Sequence, residues 1–175
     1  MKSFLIYLIS IFLFTFQLDA HGPSRQKVVE KVIIDAKPEK VWNLISNFED
    51  FSWHSDLKKI ESNGNMVGSK RELTFSNNIT ISQSLEKLNA EKKMISWRII
   101  DTNNDILPVN SYSATLTVTK NDENPNKSVL VFKAAFYRGF MGNDPPEHLN
   151  DENSKKKVIV FVKKSIDGIK NKLSK

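Results

Sequence analysis

The sequence predicts an α+β fold, in which a strongly bent antiparallel sheet of seven strands wraps around a long C-terminal helix. Three observations predict it. The chain opens with a strand followed by a helix, a two-residue period with short turns then runs over about eighty residues, and the chain ends in a long amphipathic helix. A sheet with one apolar face needs a cover, and the last helix can supply it. Such a wrap usually encloses a cavity.

The first two elements are a strand and a helix. Residues 28–35 are rich in β-branched side chains and alternate in polarity. Asp35 or Ala36 then precedes Pro38, which is typical of a first helical turn, and Glu39 adds an acid there. Apolar residues follow at helical spacing: Val41, Trp42, Leu44, Ile45 and Phe48. We expect a helix of about three turns, close to the globular mean.

Six further strands are predicted between residues 57 and 138. They are the segments LKKIES, SKRELTF, ITISQSLEKL, MISWRII, YSATLTVTK and SVLVFKAAFYR. Turn residues separate them, including Asn63-Gly64-Asn65 and Asn77-Asn78, and a loop with Pro108 spans residues 101–110. Short connections predict a meander of neighbouring antiparallel strands.

The last helix is predicted after the loop GFMGNDPPEHLND, with Asn150 or Asp151 as its cap. Its apolar stripe consists of Val158, Phe161, Val162, Ile166, Ile169 and Leu173. The opposite side carries Lys156, Lys157, Lys163, Lys164 and Lys170. We therefore expect the stripe to face the sheet and the lysines to face water.

Residues 1–20 have the features of a cleaved signal peptide. Lys2 gives a positive start, residues 4–16 form a nearly continuous apolar run, and Ala20 ends a plausible cleavage site. This run is shorter than the roughly 20 residues that cross a bilayer. We expect a periplasmic protein without a membrane anchor after cleavage, with an N-terminal arm at residues 21–27 and one domain at residues 28–175. The lack of cysteine fits export and excludes thiolate catalysis and cysteine-ligated metals.

The positive charge is concentrated at the C-terminus. Residues 155–175 contain eight lysines against a single acid, Asp167, in a chain whose formal net charge is +6. Nucleic acid is not an expected partner, because no DNA- or RNA-binding motif occurs. Two interpretations stay open: a solvated, solubilising helix face, or a docking surface for an acidic protein.

Inward-facing positions of the strands predict a ligand pocket. Alternation places one arginine and several aromatic residues on the concave side: Arg71, Phe75, Trp97, Tyr112 and Phe136. Such a lining suits a small apolar or amphipathic ligand. The alternative is that the rings fill an ordinary core and the Arg71 side chain extends to its rim.

The sequence predicts no catalytic residues, no metal site and no cofactor. Nucleophile-elbow and glycine-rich nucleotide motifs are absent. A mature N-terminal His21 could bind copper with His54 or His148, but the spacing matches no known ligand pattern. The WHSD segment at residues 53–56 is interpreted as a turn. Acid-base chemistry by Glu86, His54 or Tyr112 stays open, because such sites assemble from distant strands.

Several segments resemble the polyketide cyclase/dehydrase branch of the START-like (Bet v 1-like, SRPBCC) superfamily. They are VVEKVIIDAKPEKVWNLISNFEDFSWHSDLKKIE, GSKRELTF, ITISQSLEKLN, LPVNSYSATLTV and FYRGFMGNDPP. The resemblance covers nearly all of the mature chain and implies a helix-grip fold with a cavity between the sheet and the final helix. It does not fix a function, because this fold serves carriers, cyclases and regulators.

A narrower resemblance concerns AHGPSRQKVVEKV, LPVNSYSATLTV and FYRGFMGNDPP, which look like segments of the MxaD-like periplasmic accessory proteins of bacterial methanol oxidation. It implies a non-enzymatic role that assists methanol dehydrogenase or its cytochrome c acceptor. Lys156, Lys163 and Lys170 would then bind an acidic partner. The alternative is a hydrophobic small-ligand carrier or a cyclase-like enzyme that uses the cavity.

Overall fold

The computed structural model describes residues 22–174 and confirms the predicted α+β, helix-grip architecture. A seven-stranded antiparallel sheet has the order β1-β7-β6-β5-β4-β3-β2 and is covered by the long C-terminal helix. The elements are β1 (Gln26–Ile34), α1 (Pro38–Ile45), β2 (Leu57–Ser62), β3 (Lys70–Phe75), β4 (Thr80–Asn89), β5 (Met94–Asp101), β6 (Val109–Lys120), β7 (Ser128–Arg138), a 3₁₀ helix (Glu147–Leu149) and α2 (Asp151–Leu173). The predicted signal peptide and His21 lie outside the described residues.

One long-range strand pair adds β1 to the edge of the sheet. Strands β2 to β7 form a meander in which each strand pairs with the next, whereas β1 pairs with β7. The register joins Gln26 to Phe136 and Ile34 to Ser128. Turn residues between consecutive strands account for the meander, since short connections place antiparallel neighbours side by side. The β1–β7 pair joins the two ends of the domain.

Two element boundaries differ from the sequence-based expectation. Strand β1 begins at Gln26, inside the segment expected to be an arm, because Gln26 and Lys27 continue the ladder with β7. Helix α1 has eight residues instead of about three turns, and Lys37 is its N-cap. It ends before Phe48, whose backbone N–H donates to Asn65 Oδ1 at 2.6 Å. The Phe48 ring is buried from a loop, so its helical spacing was misleading.

The predicted alternation on the strands is confirmed by burial. Side chains expected on the concave face are buried on β3, β5, β6 and β7: Arg71, Leu73, Phe75, Ile95, Trp97, Ile99, Tyr112, Ala114, Leu116, Leu130, Phe132 and Phe136. The two-residue period of a strand places these residues on one face, and the bend of the sheet directs that face toward α2. The core therefore lies between sheet and helix.

Helix α2 begins at the predicted cap and covers the sheet with the predicted stripe. The Asn150 side chain accepts a hydrogen bond from Asn153 N at 2.8 Å. The six apolar residues of the stripe are buried, while the lysines opposite them are exposed. None of the helices within residues 22–174 combines the length and apolar character that a membrane crossing requires.

A buried arginine fixes the start of α2. The Arg138 guanidinium pairs with Asp151, with 2.8 Å between Nη1 and Oδ2. The same guanidinium donates to Phe140 O at 2.8 Å and to Gly142 O at 2.6 Å. Hydrogen bonds to a charged donor are stronger than neutral ones, so the loop after β7 is fixed to both the strand and the helix.

Candidate functional site

A groove lies between the middle of α2 and the loops at one end of the sheet. Its volume is about 320 Å³. Three parts of the chain form it: the segment between α1 and β2, the turn after β3 together with the loop after β5, and the face of α2 next to its lysine row. The residues that matter for its chemistry are His54, Asp56, Phe75, Ile106, Lys157 and Phe161.

Aromatic packing holds the inner wall of the groove in place. The His54 ring lies 4.5 Å from the Phe161 ring and 5.5 Å from the Phe75 ring, measured between centroids. Phe51 lies behind them and packs on Trp53, with 4.0 Å between centroids. Rings at these separations interact favourably beyond the area that they bury. The segment that carries His54 is therefore fixed by both a strand and the helix.

Glycine in α2 allows this close approach. A Cβ atom at Gly168 would lie 1.4 Å from Trp53 O, a separation that no side chain could tolerate. The helix thus packs directly on the backbone of the segment before His54. Backbone turns complete the arrangement, because His54 N donates to Phe51 O at 2.9 Å and Leu57 N donates to His54 O at 3.0 Å.

His54 is a buried, neutral hydrogen-bond donor. Its Nδ1 accepts from Asp56 N at 3.2 Å, which places the hydrogen of the neutral ring on Nε2. Burial lowers the pKa of His54 to about 4, although the Asp56 charge raises it and the Lys164 charge lowers it further. Within residues 22–174, Nε2 has no hydrogen-bond partner. A donor in this state can bind an acceptor oxygen.

The charged groups around His54 are unequally paired. Lys164 Nζ lies 2.6 Å from Asp56 Oδ2, and this hydrogen bond is the main cause of the lowered pKa of Asp56. Lys157 also lines the groove but forms no ion pair within residues 22–174. Asp105 is exposed in the loop after β5. The groove therefore contains a neutral donor, the ammonium of Lys157 and two carboxylates, of which Asp56 is paired with Lys164 and Asp105 forms no ion pair within residues 22–174.

Arg71, a predicted pocket residue, is enclosed by aromatic rings in the core. Its guanidinium carbon lies 4.1 Å from the Phe48 ring centroid and 4.4 Å from that of Phe51. Its Nε donates to Gln83 Oε1 and its Nη1 to Phe48 O, each at 2.9 Å. The side chain does not extend to the rim, because Arg71 is only 3% exposed, and burial lowers its pKa.

The other predicted pocket residues lie at different depths. Phe75 borders the groove. Trp97, Tyr112 and Phe136 are buried in the interior, where Tyr112 stacks on Phe136 with 6.3 Å between ring centroids. Burial raises the pKa of Tyr112, so its hydroxyl stays protonated. The structure thus brings one of the five predicted residues to the groove, whereas the other four are buried and do not line it.

The predicted partner-binding lysines form a row on the solvent side of α2. Lys156, Lys163 and Lys170 are spaced seven residues apart, which keeps them on one line along a helix. All three are exposed, and none forms an ion pair within residues 22–174. Lys157 and Lys164 form the adjacent row, which borders the groove. The lysine row and the groove are therefore neighbouring surfaces.

No group of three or more metal-ligating side chains occurs within residues 22–174. His54 is buried among aromatic rings and His148 is exposed on the 3₁₀ helix. The copper alternative also involved His21, which lies outside the described residues.

Comparison with known families assigns the architecture. The sequence model of the family described as polyketide cyclase / dehydrase and lipid transport matches residues 25–174. The chain belongs to this family. Membership in the polyketide cyclase / dehydrase and lipid transport family agrees with the observed fold, in which the sheet wraps around the long C-terminal helix.

Solved structures share the fold at low sequence identity. A protein of Nitrosospira multiformis is 19% identical with a TM-score of 0.66, and the match covers 85% of this chain and 96% of that one. XoxI of Bacillus cereus is 20% identical with a TM-score of 0.70, covering 84% and 94%. Truncated norcoclaurine synthase of Thalictrum flavum is 14% identical with a TM-score of 0.61, covering 87% and 96%. Among curated protein sequences, none matches this chain.

Sequence reasoning missed most of the groove in this polyketide cyclase / dehydrase family member. Alternation identifies inward-facing strand residues, but His54, Asp56 and Ile106 lie in loops, where no period applies. Lys157 and Phe161 were assigned to opposite sides of α2, although both reach its border with the groove. The WHSD segment carried the available signal, since a histidine between a tryptophan and an acid combines packing with polarity.

Proposed function

We propose that this protein is a non-enzymatic accessory protein of bacterial methanol oxidation, which assists methanol dehydrogenase and its interaction with its cytochrome c acceptor. The resemblance of three segments to the MxaD-like proteins supports the pathway. The observation that carries the mode of action is the exposed row of Lys156, Lys163 and Lys170, which form no ion pair with the residues that the structure describes. An accessory protein needs a surface for its partners, and this row lies in residues 155–175, which hold eight lysines against one acid.

The lysine row suits an acidic protein partner. Lysines seven residues apart are separated by about 10 Å along a helix, so three of them spread positive charge over roughly 20 Å. Complementary charge increases the rate of encounter and orients the partner. The helix is rigidly seated on the sheet through its buried stripe, so the row presents a fixed pattern of charge.

Export to the periplasm is part of this proposal. The positive start, the apolar run of residues 4–16 and the small residue Ala20 support a signal peptide. The intact mass of the protein purified from a periplasmic fraction tests it. We expect the mass of a chain that begins at His21, and a cytoplasmic protein that retains residues 1–20 would contradict the export proposal.

Charge reversal tests the docking surface. Lys156, Lys163 and Lys170 would be changed to Glu together, and binding to methanol dehydrogenase and to its cytochrome would be measured at low salt, along with electron transfer between them. The matched control changes Lys31, Lys87 and Lys92 to Glu, since these lysines are exposed, lie away from α2 and alter the net charge equally. We expect loss of binding only in the first variant. Equal loss in both, or no effect of the wild-type protein, would refute the proposal.

A small-ligand carrier, or a cyclase-like enzyme, is a second candidate function, and the groove between α2 and the loops favours it. The groove has apolar walls and a volume of about 320 Å³, near the lower limit for small-molecule sites of roughly 300 Å³. Native mass spectrometry of protein from its own periplasm tests this function. A stoichiometric ligand that unfolding releases would support it, whereas consistently unliganded protein would count against it.

A further inference from the structure

We propose that the groove binds a small amphipathic molecule through a carboxylate end, which accepts a hydrogen bond from His54 Nε2 and pairs with Lys157 Nζ, while the apolar part packs on Phe75 and Phe161. This proposal rests on the second candidate function. It adds the chemical class of the ligand and the residues that would recognise it.

The buried donor on His54 is the first argument. His54 is 2% exposed, and its Nε2 has no partner within residues 22–174. The Asp56 backbone N–H occupies Nδ1, so Nε2 carries the hydrogen and can only donate. Buried donors without acceptors are costly, and native proteins rarely keep them without a reason. The His54 residue lines the groove, so an acceptor oxygen of a ligand that reached Nε2 from there would remove this cost.

The unequal pairing of the lysines is the second argument. Asp56 neutralises Lys164, whereas no acidic side chain in the described part of the chain pairs with the ammonium of Lys157. The adjacent row of Lys156 and Lys163 adds positive potential next to the groove. Asp105 opposes this potential, and because it is exposed like the lysines, solvent screens both signs of charge alike, so the lysines prevail by number. A neutral donor and a lysine cation that line the same groove are complementary to a carboxylate and not to an amine.

The apolar walls set the size of the ligand. Phe75 and Phe161 contribute rings, and Ile106 and the 47%-exposed Val160 add aliphatic surface. A volume of about 320 Å³ accommodates roughly one aromatic ring with a short chain. A ring on these walls would stack on aromatic side chains and leave its charged end near Lys157.

The test compares an acid with an amine of the same shape. The probes are 3-phenylpropanoate and 3-phenylpropan-1-amine, titrated into the protein and followed by heat of binding and by NMR shifts of the groove residues. We expect the acid to bind at least about tenfold more tightly, the gain typical of a charged hydrogen bond. Equal or tighter binding of the amine would overturn acid recognition while leaving a carrier function in place. Binding of neither probe would count against both proposals.

Single substitutions test which residues recognise the carboxylate. Lys157→Gln should weaken binding of the acid about tenfold, while Lys155→Gln, an exposed neighbour outside the groove, should leave it unchanged. Asp105→Asn should strengthen binding of the acid and weaken that of the amine, because it removes the groove carboxylate that is not paired with Lys164. His54→Phe keeps the aromatic packing but removes the hydrogen-bond donor. It should weaken binding of the acid more than binding of the amine. Equal effects of Lys157→Gln and Lys155→Gln would overturn the assignment even if His54→Phe failed to fold.

Discussion

Two buried titratable side chains, His54 and Arg71, occupy neighbouring positions around Phe51. His54 responds to burial by staying neutral, since its pKa falls to about 4. Arg71 instead keeps hydrogen bonds to Gln83 and Phe48 O and packs against three aromatic rings. Six buried polar atoms lack partners within residues 22–174, and each can donate: Trp53 Nε1, His54 Nε2, Arg71 Nη2, Gln83 Nε2, Trp97 Nε1 and Tyr112 Oη. The interior therefore has buried hydrogen-bond donors for which acceptors are missing.

His54 should make stability depend on pH. Its pKa is 6.5 in a model peptide and about 4 in the folded protein, so the unfolded chain binds more protons between these values. The stability from the neutral ring is fully present above pH 6.5 and is lost as the pH falls toward 4, a difference of about 3 kcal/mol. Urea unfolding across this range measures it. His54→Phe should abolish the dependence and His148→Gln should retain it; an unchanged dependence in His54→Phe would contradict the assignment. The lowered pKa of Asp56 acts only below this window.

Arg71 and Gln83 should be energetically coupled. Arg71→Met leaves Phe48 O and Gln83 Oε1 without their donor, and we expect a loss of about 2 kcal/mol. Gln83→Leu should cost a similar amount, because the charged Nε then lacks an acceptor. In the double variant both polar groups are gone, so its loss should be smaller than the sum by about 1 kcal/mol. Guanidinium chloride denaturation of the four proteins measures the coupling, and strictly additive losses would argue against the buried hydrogen bond.

At the scale of elements, the contacts that hold α2 on the rest of the domain explain the shape of the groove. The helix is fixed at its start by Arg138 and the Asn150 cap, and near its end Gly168 lies directly on the backbone of Trp53. Glycine inside a helix normally destabilises it by about 1 kcal/mol relative to alanine. Here it allows the helix to approach the segment that positions His54. The groove is the space that remains between these two anchor points.

Gly168→Ala should destabilise the protein. The added methyl group would overlap Trp53 O, and we expect a net loss of about 2 kcal/mol from overpacking, despite the better helix propensity of alanine. Urea midpoints measure the change, and Asn171→Ala, an exposed position on the same helix, is the control and should be neutral or slightly stabilising. A stabilised Gly168→Ala variant would show that helix and segment are further apart in solution.

At the scale of the whole molecule, positive charge is concentrated on the exposed side of α2. The last 21 residues carry eight of the lysines, and the structure places most of them on the exposed side of α2. The buried stripe of the same helix closes the core. One element thus stabilises the fold and also presents the proposed docking surface, which lets charge be altered there without disturbing the core.

Binding of an acidic partner should weaken with salt. The Debye length falls from about 30 Å at 0.01 M to about 8 Å at 0.15 M ionic strength, so exposed lysines lose most of their long-range attraction. We expect the association rate with the cytochrome to fall at least about tenfold over this range, with a smaller change in dissociation. Stopped-flow or surface-based kinetics measure both rates. An association rate that is independent of salt would exclude steering by the lysine row.

The elements follow from local patterns, and the groove does not. Strand alternation and the amphipathic stripe of α2 predicted the order of elements and the buried face of each strand, because every side chain on a strand or helix has its direction set by the backbone period. The length of α1 was mispredicted, since Phe48 fits the helical period but its backbone is held by Asn65, seventeen residues later in the chain. Pairing between distant residues is not visible in a local pattern.

The sequence by itself determined the fold class, the order of the elements, the inward side of the strands and the exposed row of lysines. Only the tertiary structure decided that Arg71 lies enclosed by rings, that Phe75 alone among the predicted pocket residues borders the groove, and that His54 and Lys157 line the same groove. The physical reason is that periodicity fixes direction within an element. The depth of a side chain and its neighbours depend instead on how closely separate elements pack, and here a single glycine sets that distance.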